Sequence, residues 1–271
     1  MEKSAARRAV LSAVAVLGLM AGLALEEPAV PAARPIWVIA HRAGAAEAPE
    51  NTLAALERAI AAGADMAEID VQRTRDKILV TLHDESLART TGLDRLSEET
   101  DLSEIRGLDA GTWFSGDFAG EPLPTLAAML DAARDRISLM IEVKRDGRDG
   151  SVAEQVVALI VTKGMEDQCV LASASWADLQ RSKELAPELK TVWILQRVTS
   201  DLWGQPYVDG YSVCADNLTR ADVERAHGEG RPIYAWTVNQ KSKMKWVLGL
   251  GVDGLVTDDP DEAKVLLRGG G

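Results

Sequence analysis

From Ile36 onward the chain alternates short apolar, often β-branched runs with longer segments in which Ala and Leu recur at helical spacing, the rhythm of βα units. Strand-like runs are IWVIA (36–40), MAEIDV (66–71), ILVTL (78–82), ISLMIEV (137–143), CVLAS (169–173), TVWIL (191–195), GYSV (210–213), IYAWTV (233–238) and DGLVT (253–257). The spacing predicts helices over 51–62, 124–135, 151–163, 176–185, 219–229 and 240–249. Eight parallel strands with eight returning helices need about 250 residues and about 235 are present here, so the expected fold is an α/β (β/α)8 TIM barrel. Nine runs are one too many, and the link from Val71 to Ile78 is too short for a helical crossover. Either one run is not a barrel strand or the barrel is irregular on that side. From Asp84 to Pro122 the rhythm stops among scattered glycines, which reads as a small loop-rich insertion (84–122) after the third run, capping one end of the barrel.

The first residues do not share this rhythm. Lys3, Arg7 and Arg8 precede an uncharged apolar run from Ala9 to Leu25, the layout of an export signal, with a small-x-small site at Gly22 and Ala24. Cleavage after Ala24 gives a periplasmic or extracellular protein; retention leaves residues 9–25 as an N-terminal membrane anchor, since 17 residues sit at the lower limit for a span. A Pro-rich linker follows, so the expected organisation is a leader plus linker over 1–33 and a barrel over 34–271. The formal charge is −12, and loss of residues 1–24, which carry a net +2, takes it to −14. An electrostatic grip on nucleic acid or anionic lipid is therefore disfavoured, a membrane contact is expected only through the N-terminal segment, and a cation is the better partner. The two cysteines, Cys169 and Cys214, fall beside core strands and read as buried thiols.

Barrel chemistry belongs where strands end. Four ends carry polar residues. His41-Arg42 leads into Ala48-Pro49-Glu50-Asn51-Thr52, where a helix start beside an Arg would seat an anion. Glu68 and Asp70 lie two apart on one strand and share a face, where a hard divalent cation would relieve their repulsion; the alternative is that both point outward to ion pairs. His83-Asp84 joins an imidazole to a carboxylate, poised for proton transfer near neutral pH. Glu142 and Lys144 are a further same-face pair: a third carboxylate and a cation aimed at an anion, or an ordinary ion pair. The third histidine, His227, falls in a surface helix and reads as solvated. Trp113, Phe114 and Phe118 read as a small core holding the insertion together, with a greasy rim beside the site as the alternative.

The ordered set of His-Arg, Ala-Pro-Glu-Asn-Thr, Glu68-Ile69-Asp70, Leu82-His83-Asp84, Pro124-Thr125-Leu126, Glu142-Val143-Lys144, Trp236-Thr237-Val238-Asn239 and Asp253-Gly254 to Thr257-Asp258 resembles the glycerophosphodiester phosphodiesterase family. The resemblance runs from about Val38 to Pro260 and implies a TIM barrel with an insertion after the His-Asp strand. It implies one divalent metal ion, Ca²⁺ or Mg²⁺, on Glu68, Asp70 and Glu142, and His41 with His83 as the acid/base pair. Arg42 and Lys144 would hold the phosphate, Trp236 would wall the glycerol pocket, and Glu50 would orient His41 or Arg42, as Asp84 does His83. The implied substrate is a small glycerophosphodiester, cut to sn-glycerol 3-phosphate and an alcohol. A lysophospholipase D-like or cyclising phosphodiesterase, or an inactive phosphoglycerol-binding barrel, are the alternatives. One departure stands out: the family usually has His-Arg-Gly, whereas Ala43 follows Arg42 here and Gly44 comes one place later.

Overall fold

The computed structural model describes residues 35–144 and 151–269, and the expected leader and most of its linker lie outside these residues. Eight strands run parallel: β1 (Trp37–Ala40), β2 (Met66–Arg73), β4 (Ser138–Val143), β5 (Cys169–Ser173), β6 (Lys190–Leu195), β7 (Gly210–Cys214), β8 (Ile233–Trp236) and β9 (Gly254–Thr257). Each pairs with the next in chain order, and β1 pairs with both β2 and β9, so the sheet closes into a barrel. The ninth run is β3 (Leu79–Thr81), which lies antiparallel against Val71–Arg73 outside the barrel. A tight turn makes this hairpin: Lys77 N–H donates to Thr74 O, and Ile78 N–H donates to the Thr74 hydroxyl. The excess strand is thus a hairpin arm, and the short Val71–Ile78 link needs no helix.

Seven helices return the chain: α1 (Leu53–Ala62), α4 (Leu126–Ala133), α5 (Ser151–Lys163), α6 (Trp176–Leu185), α7 (Arg220–Gly228), α8 (Lys241–Leu250) and α9 (Pro260–Arg268). The link from β6 to β7 holds only a 3-10 turn (Ser200–Leu202), where the sequence spacing predicts no helix, and α9 is the one returning helix outside the predicted segments. Helix starts follow the side chains: the hydroxyls of Thr52, Thr125, Ser175 and Thr219 accept from backbone N–H groups one turn on. Among the described residues no helix is long and apolar enough to cross a membrane.

Strand side chains alternate between two cores. On the inner face lie Ile39, Met66, Met140, Ala172, Val192, Tyr234 and Val256. On the outer face Val38, Ala40, Ile69, Val71, Leu139, Ile141, Leu171, Val213 and Leu255 pack with the helices. The alternation decides the orientation of the acidic pair. Because Ile69 and Val71 take the apolar outer face, Glu68 and Asp70 follow Met66 inward, and Glu142 follows Met140.

The segment 84–122 carries two single-turn helices, α2 (Ala88–Thr91) and α3 (Leu102–Ile105), around an aliphatic core of Val80, Leu82, Leu87, Leu102, Ile105, Ala110 and Leu123. Trp113, Phe114 and Phe118 are not that core. They stack edge to face at centroid distances of 5.9 and 5.6 Å, with Trp113 42% exposed, because the aliphatic residues already close the interior. His227 is not solvated either: its Nε2 lies 2.9 Å from Asp253 Oδ2, and the ring is half-buried. Cys169 is buried with its thiol pushed up to about 12 by burial, whereas Cys214 is half-buried; both are free.

Candidate active site

At the C-terminal ends of the strands His41, Arg42, Glu68, His83, Glu142, Lys144 and Trp236 surround a cavity of about 220 Å³. Met140, Ile194 and Val256 add an apolar wall to it. A larger cavity of about 670 Å³ opens at the other end, where the strands begin, and among its charged residues Asp209 pairs with Lys183 and Glu229 with Arg231.

The three carboxylates meet. One oxygen from each of Glu68, Asp70 and Glu142 lies within 4.8 Å of the others. Glu68 and Asp70 are adjacent inward positions of β2, and Glu142 is directly across from Asp70 on β4. Burial pushes Glu68 up to about 8, with the charge on Asp70 adding to the effect, and burial with Asp70 also raises Glu142. Asp70 is buried as deeply, yet Lys144, His83 and a hydrogen bond from Asn51 hold it below its ordinary value. Lys144 was expected to face a phosphate. Its ammonium lines the cavity and lies 2.8 Å from Asp70 Oδ1 and 2.7 Å from Glu142 Oε1. Those neighbours raise its pKa against the cost of burial.

The turn after β1 is bent around this cluster. Arg42, Ala43 and Asn51 all have positive φ (49°, 66° and 59°), a conformation that costs an L-residue about 1–2 kcal/mol. Two of these positions gain contacts to the cluster: Arg42 N–H donates to Glu68 Oε2 at 2.8 Å, and Asn51 exchanges two hydrogen bonds with Asp70. Ala43 therefore adopts the left-handed conformation that suits glycine, and its methyl group is fully buried. The Thr52 hydroxyl caps α1. The helix start is no open anion seat, since Glu121 Oε1 accepts from Ala54 N–H.

Each imidazole is backed by a carboxylate. His83 Nδ1 lies 2.7 Å from Asp84 Oδ1, and His41 Nδ1 lies 2.6 Å from Asp258 Oδ1. A carboxylate only accepts, so each Nδ1 carries the proton and Nε2 is the nitrogen left for chemistry. Burial works against charge on His41, yet the hydrogen bond to Asp258 and the carboxylates of Glu68, Asp258 and Asp70 prevail and raise its pKa. Asp84 falls to about 2: burial opposes this, and the hydrogen bonds of Arg89 and His83 overcome it. Glu50 holds Arg42, at 3.0 Å, rather than His41. Trp236 lines the cavity with its N–H committed to Ser212 O.

Three residues here, Asp258, Asn239 and Arg89, have roles that the sequence did not assign. Asn239 accepts from Asp258 N–H at 2.9 Å and donates to Asp258 Oδ2, fixing that carboxylate behind His41. Asp258 ends β9 in the Thr-Asp motif, but the pairing spans 217 positions, and nothing local marks it.

A model of the glycerophosphoryl diester phosphodiesterase family matches residues 41–262. A glycerophosphodiester phosphodiesterase of Caldanaerobacter subterraneus subsp. tengcongensis is 36% identical over 239 residues, 86% of this chain and 98% of that protein. One from Bacillus altitudinis is 32% identical over 83% of this chain and 96% of that protein. Among solved structures, a phosphodiesterase of Oleispira antarctica in complex with the product sn-glycerol-3-phosphate superposes with a TM-score of 0.81 at 28% identity, covering 86% of this chain and 96% of that one.

Proposed function

The chain belongs to the glycerophosphoryl diester phosphodiesterase family and is a phosphodiesterase of that kind; we propose that it hydrolyses small glycerophosphodiesters to sn-glycerol 3-phosphate and an alcohol, with a divalent metal ion and with His41 and His83 moving the protons. The observation that carries this reading is the convergence on one small cavity of two carboxylate-backed imidazoles and of Glu68 and Glu142, whose carboxylates meet that of Asp70.

The acidic cluster fits a hard cation. Its donors are oxygens only, and Glu68 Oε1 is buried without a hydrogen-bond partner among the described residues, a costly condition unless a cation meets it. Glu68, Asp70 and Glu142 would hold the ion, and Ca²⁺ or Mg²⁺ suits them. When bound, it would supply positive charge against the phosphate oxygens as negative charge grows on them. Arg42, held by Glu50 and by its own backbone bond to Glu68, presents a second positive group to the phosphate, and Lys144 adds a third from the cavity wall. One imidazole takes the proton of the attacking oxygen at Nε2 while the other gives a proton from Nε2 to the departing alcohol, a division worth about 10²- to 10⁴-fold per group. The apolar wall and Trp236 pack the carbon skeleton of the glycerol and keep water from the far side. A cavity of about 220 Å³ suits a headgroup-sized diester. From the basic start and apolar run of residues 3–25, we place this activity outside the cytoplasmic membrane.

The test is release of sn-glycerol 3-phosphate from glycerophosphocholine by metal-stripped protein, titrated with Mg²⁺ and with Ca²⁺, for wild type, His41→Ala and His83→Ala. Metal-dependent turnover lost in both variants is expected. Turnover that survives either substitution within threefold would remove that histidine from the chemistry.

A further inference from the structure

We propose that Arg89, contributed by the segment inserted after β3, is a positioning residue: one guanidinium holds both the carboxylate behind His83 and the carboxylate behind Arg42. The proposal rests on the reading of His83 as a proton-transfer group. Arg89 Nη1 and Nη2 donate to the two oxygens of Glu50 at 2.8 and 2.7 Å, and its Nε donates to Asp84 Oδ2 at 2.6 Å. The remaining oxygen of Asp84 meets His83 Nδ1, and Glu50 Oε1 also accepts from Arg42 Nη1. A planar fork with fixed N–H directions suits this double task, whereas an ammonium would satisfy one carboxylate at a time.

The insertion fixes where that fork sits. Arg89 lies on the single turn of α2, anchored by Leu87 in the insertion's aliphatic core. The Trp113 ring lies 5.6 Å from the guanidinium carbon, and its own N–H is tied to Ala110 O, so an aromatic plate backs the cation. Asp84 and His83 are each about one-third exposed, so without Arg89 little else restrains the Asp84 side chain. The segment outside the barrel thus sets the rotamer of an imidazole within the site, and it ties that imidazole to the phosphate-facing Arg42.

Arg89→Met, Asp84→Asn and their double variant, assayed on glycerophosphocholine at saturating Mg²⁺, test the proposal. Each single substitution is expected to lower kcat about 10- to 100-fold with KM within about fivefold, as for removal of groups that orient reacting residues. Because Arg89 reaches His83 only through Asp84, the double variant should lose less than the product of the two single losses. Arg89→Lys should recover part of kcat, and Arg95→Met, which breaks the Arg95–Glu104 pair elsewhere in the insertion, should leave it unchanged. Folded Arg89→Met protein with kcat within twofold of wild type, or losses that multiply in the double variant, would overturn the proposal. Should Arg89→Met not fold, Arg89→Gln serves the same comparison. His83→Ala separates the two readings: if it abolishes turnover while Arg89 variants do not, only the positioning role fails. If His83→Ala is active, the acid/base reading fails with it.

Discussion

Asp258→Asn is the sharpest perturbation of the site that leaves its shape intact. Asp258 accepts from His41 Nδ1 with one oxygen and from the Asn239 side-chain amide with the other. An asparagine at 258 must still present its carbonyl oxygen to that amide, because Asn239 Oδ1 is already held by the Asp258 and Thr257 donors. Its new NH₂ then faces His41 and forces Nδ1 to accept, which puts the proton on Nε2 and inverts the tautomer. A group of this kind contributes about 10²- to 10⁴-fold, so kcat should fall by that factor, equal to about 3–5 kcal/mol of barrier. The pH dependence has a definite sign. Asp258 helps raise the His41 pKa, so in the variant the limb of the kcat profile belonging to His41 moves to lower pH, whichever proton it handles. Asp258→Ala, which imposes no donor, should lose less than Asp258→Asn. Steady-state release of glycerol 3-phosphate between pH 5 and 9 measures all three effects. Asp258→Asn protein that is folded and turns over within threefold of wild type would refute the argument.

Three other outcomes follow from the geometry. A Glu68 held near 8 must lose its proton before it can take a metal ion, so apparent Mg²⁺ affinity should rise by up to about tenfold per pH unit from 6 to 8, with proton release visible by calorimetry in buffers of different ionisation enthalpy; flat affinity would contradict it. At Gly254 a Cβ would stand 2.8 Å from Trp37 O and 3.0 Å from the Tyr234 ring, so Gly254→Ala should cost about 1–3 kcal/mol in urea unfolding. Ala43→Gly relieves about 1 kcal/mol of left-handed strain but gives up a buried methyl worth about 0.8 kcal/mol and loosens the unfolded chain, so stability should change by less than about 1 kcal/mol.

What could be read without coordinates was whatever the chain writes locally. In β2 and β4 the alternation of apolar and acidic residues places Ile69, Val71 and Ile141 outward and the three carboxylates inward, and that pattern is visible in the letters alone. The hairpin arm β3 announced itself as a length conflict. The start of α9 carries a readable Asp259-Pro260 signal, although its helix was not among those expected. The absent helix between β6 and β7 has Gly204 and Pro206 in its place. What the letters do not hold is the choice of partner across space. Lys144 turns to Asp70, Glu50 to Arg89, Glu121 to the α1 start, and His227 to Asp253, each a pairing between different segments that only the folded chain brings together.

The proposed chemistry depends on one divalent ion among residues 68, 70 and 142 with both imidazoles facing the phosphate. Anomalous diffraction from crystals grown with Mn²⁺ and sn-glycerol 3-phosphate tests it most directly. One strong peak bounded by Glu68, Asp70 and Glu142 is expected, with phosphate oxygens within hydrogen-bond reach of His41 Nε2 and His83 Nε2. A fully bound phosphate with no peak there, or a peak held by other side chains, would contradict it.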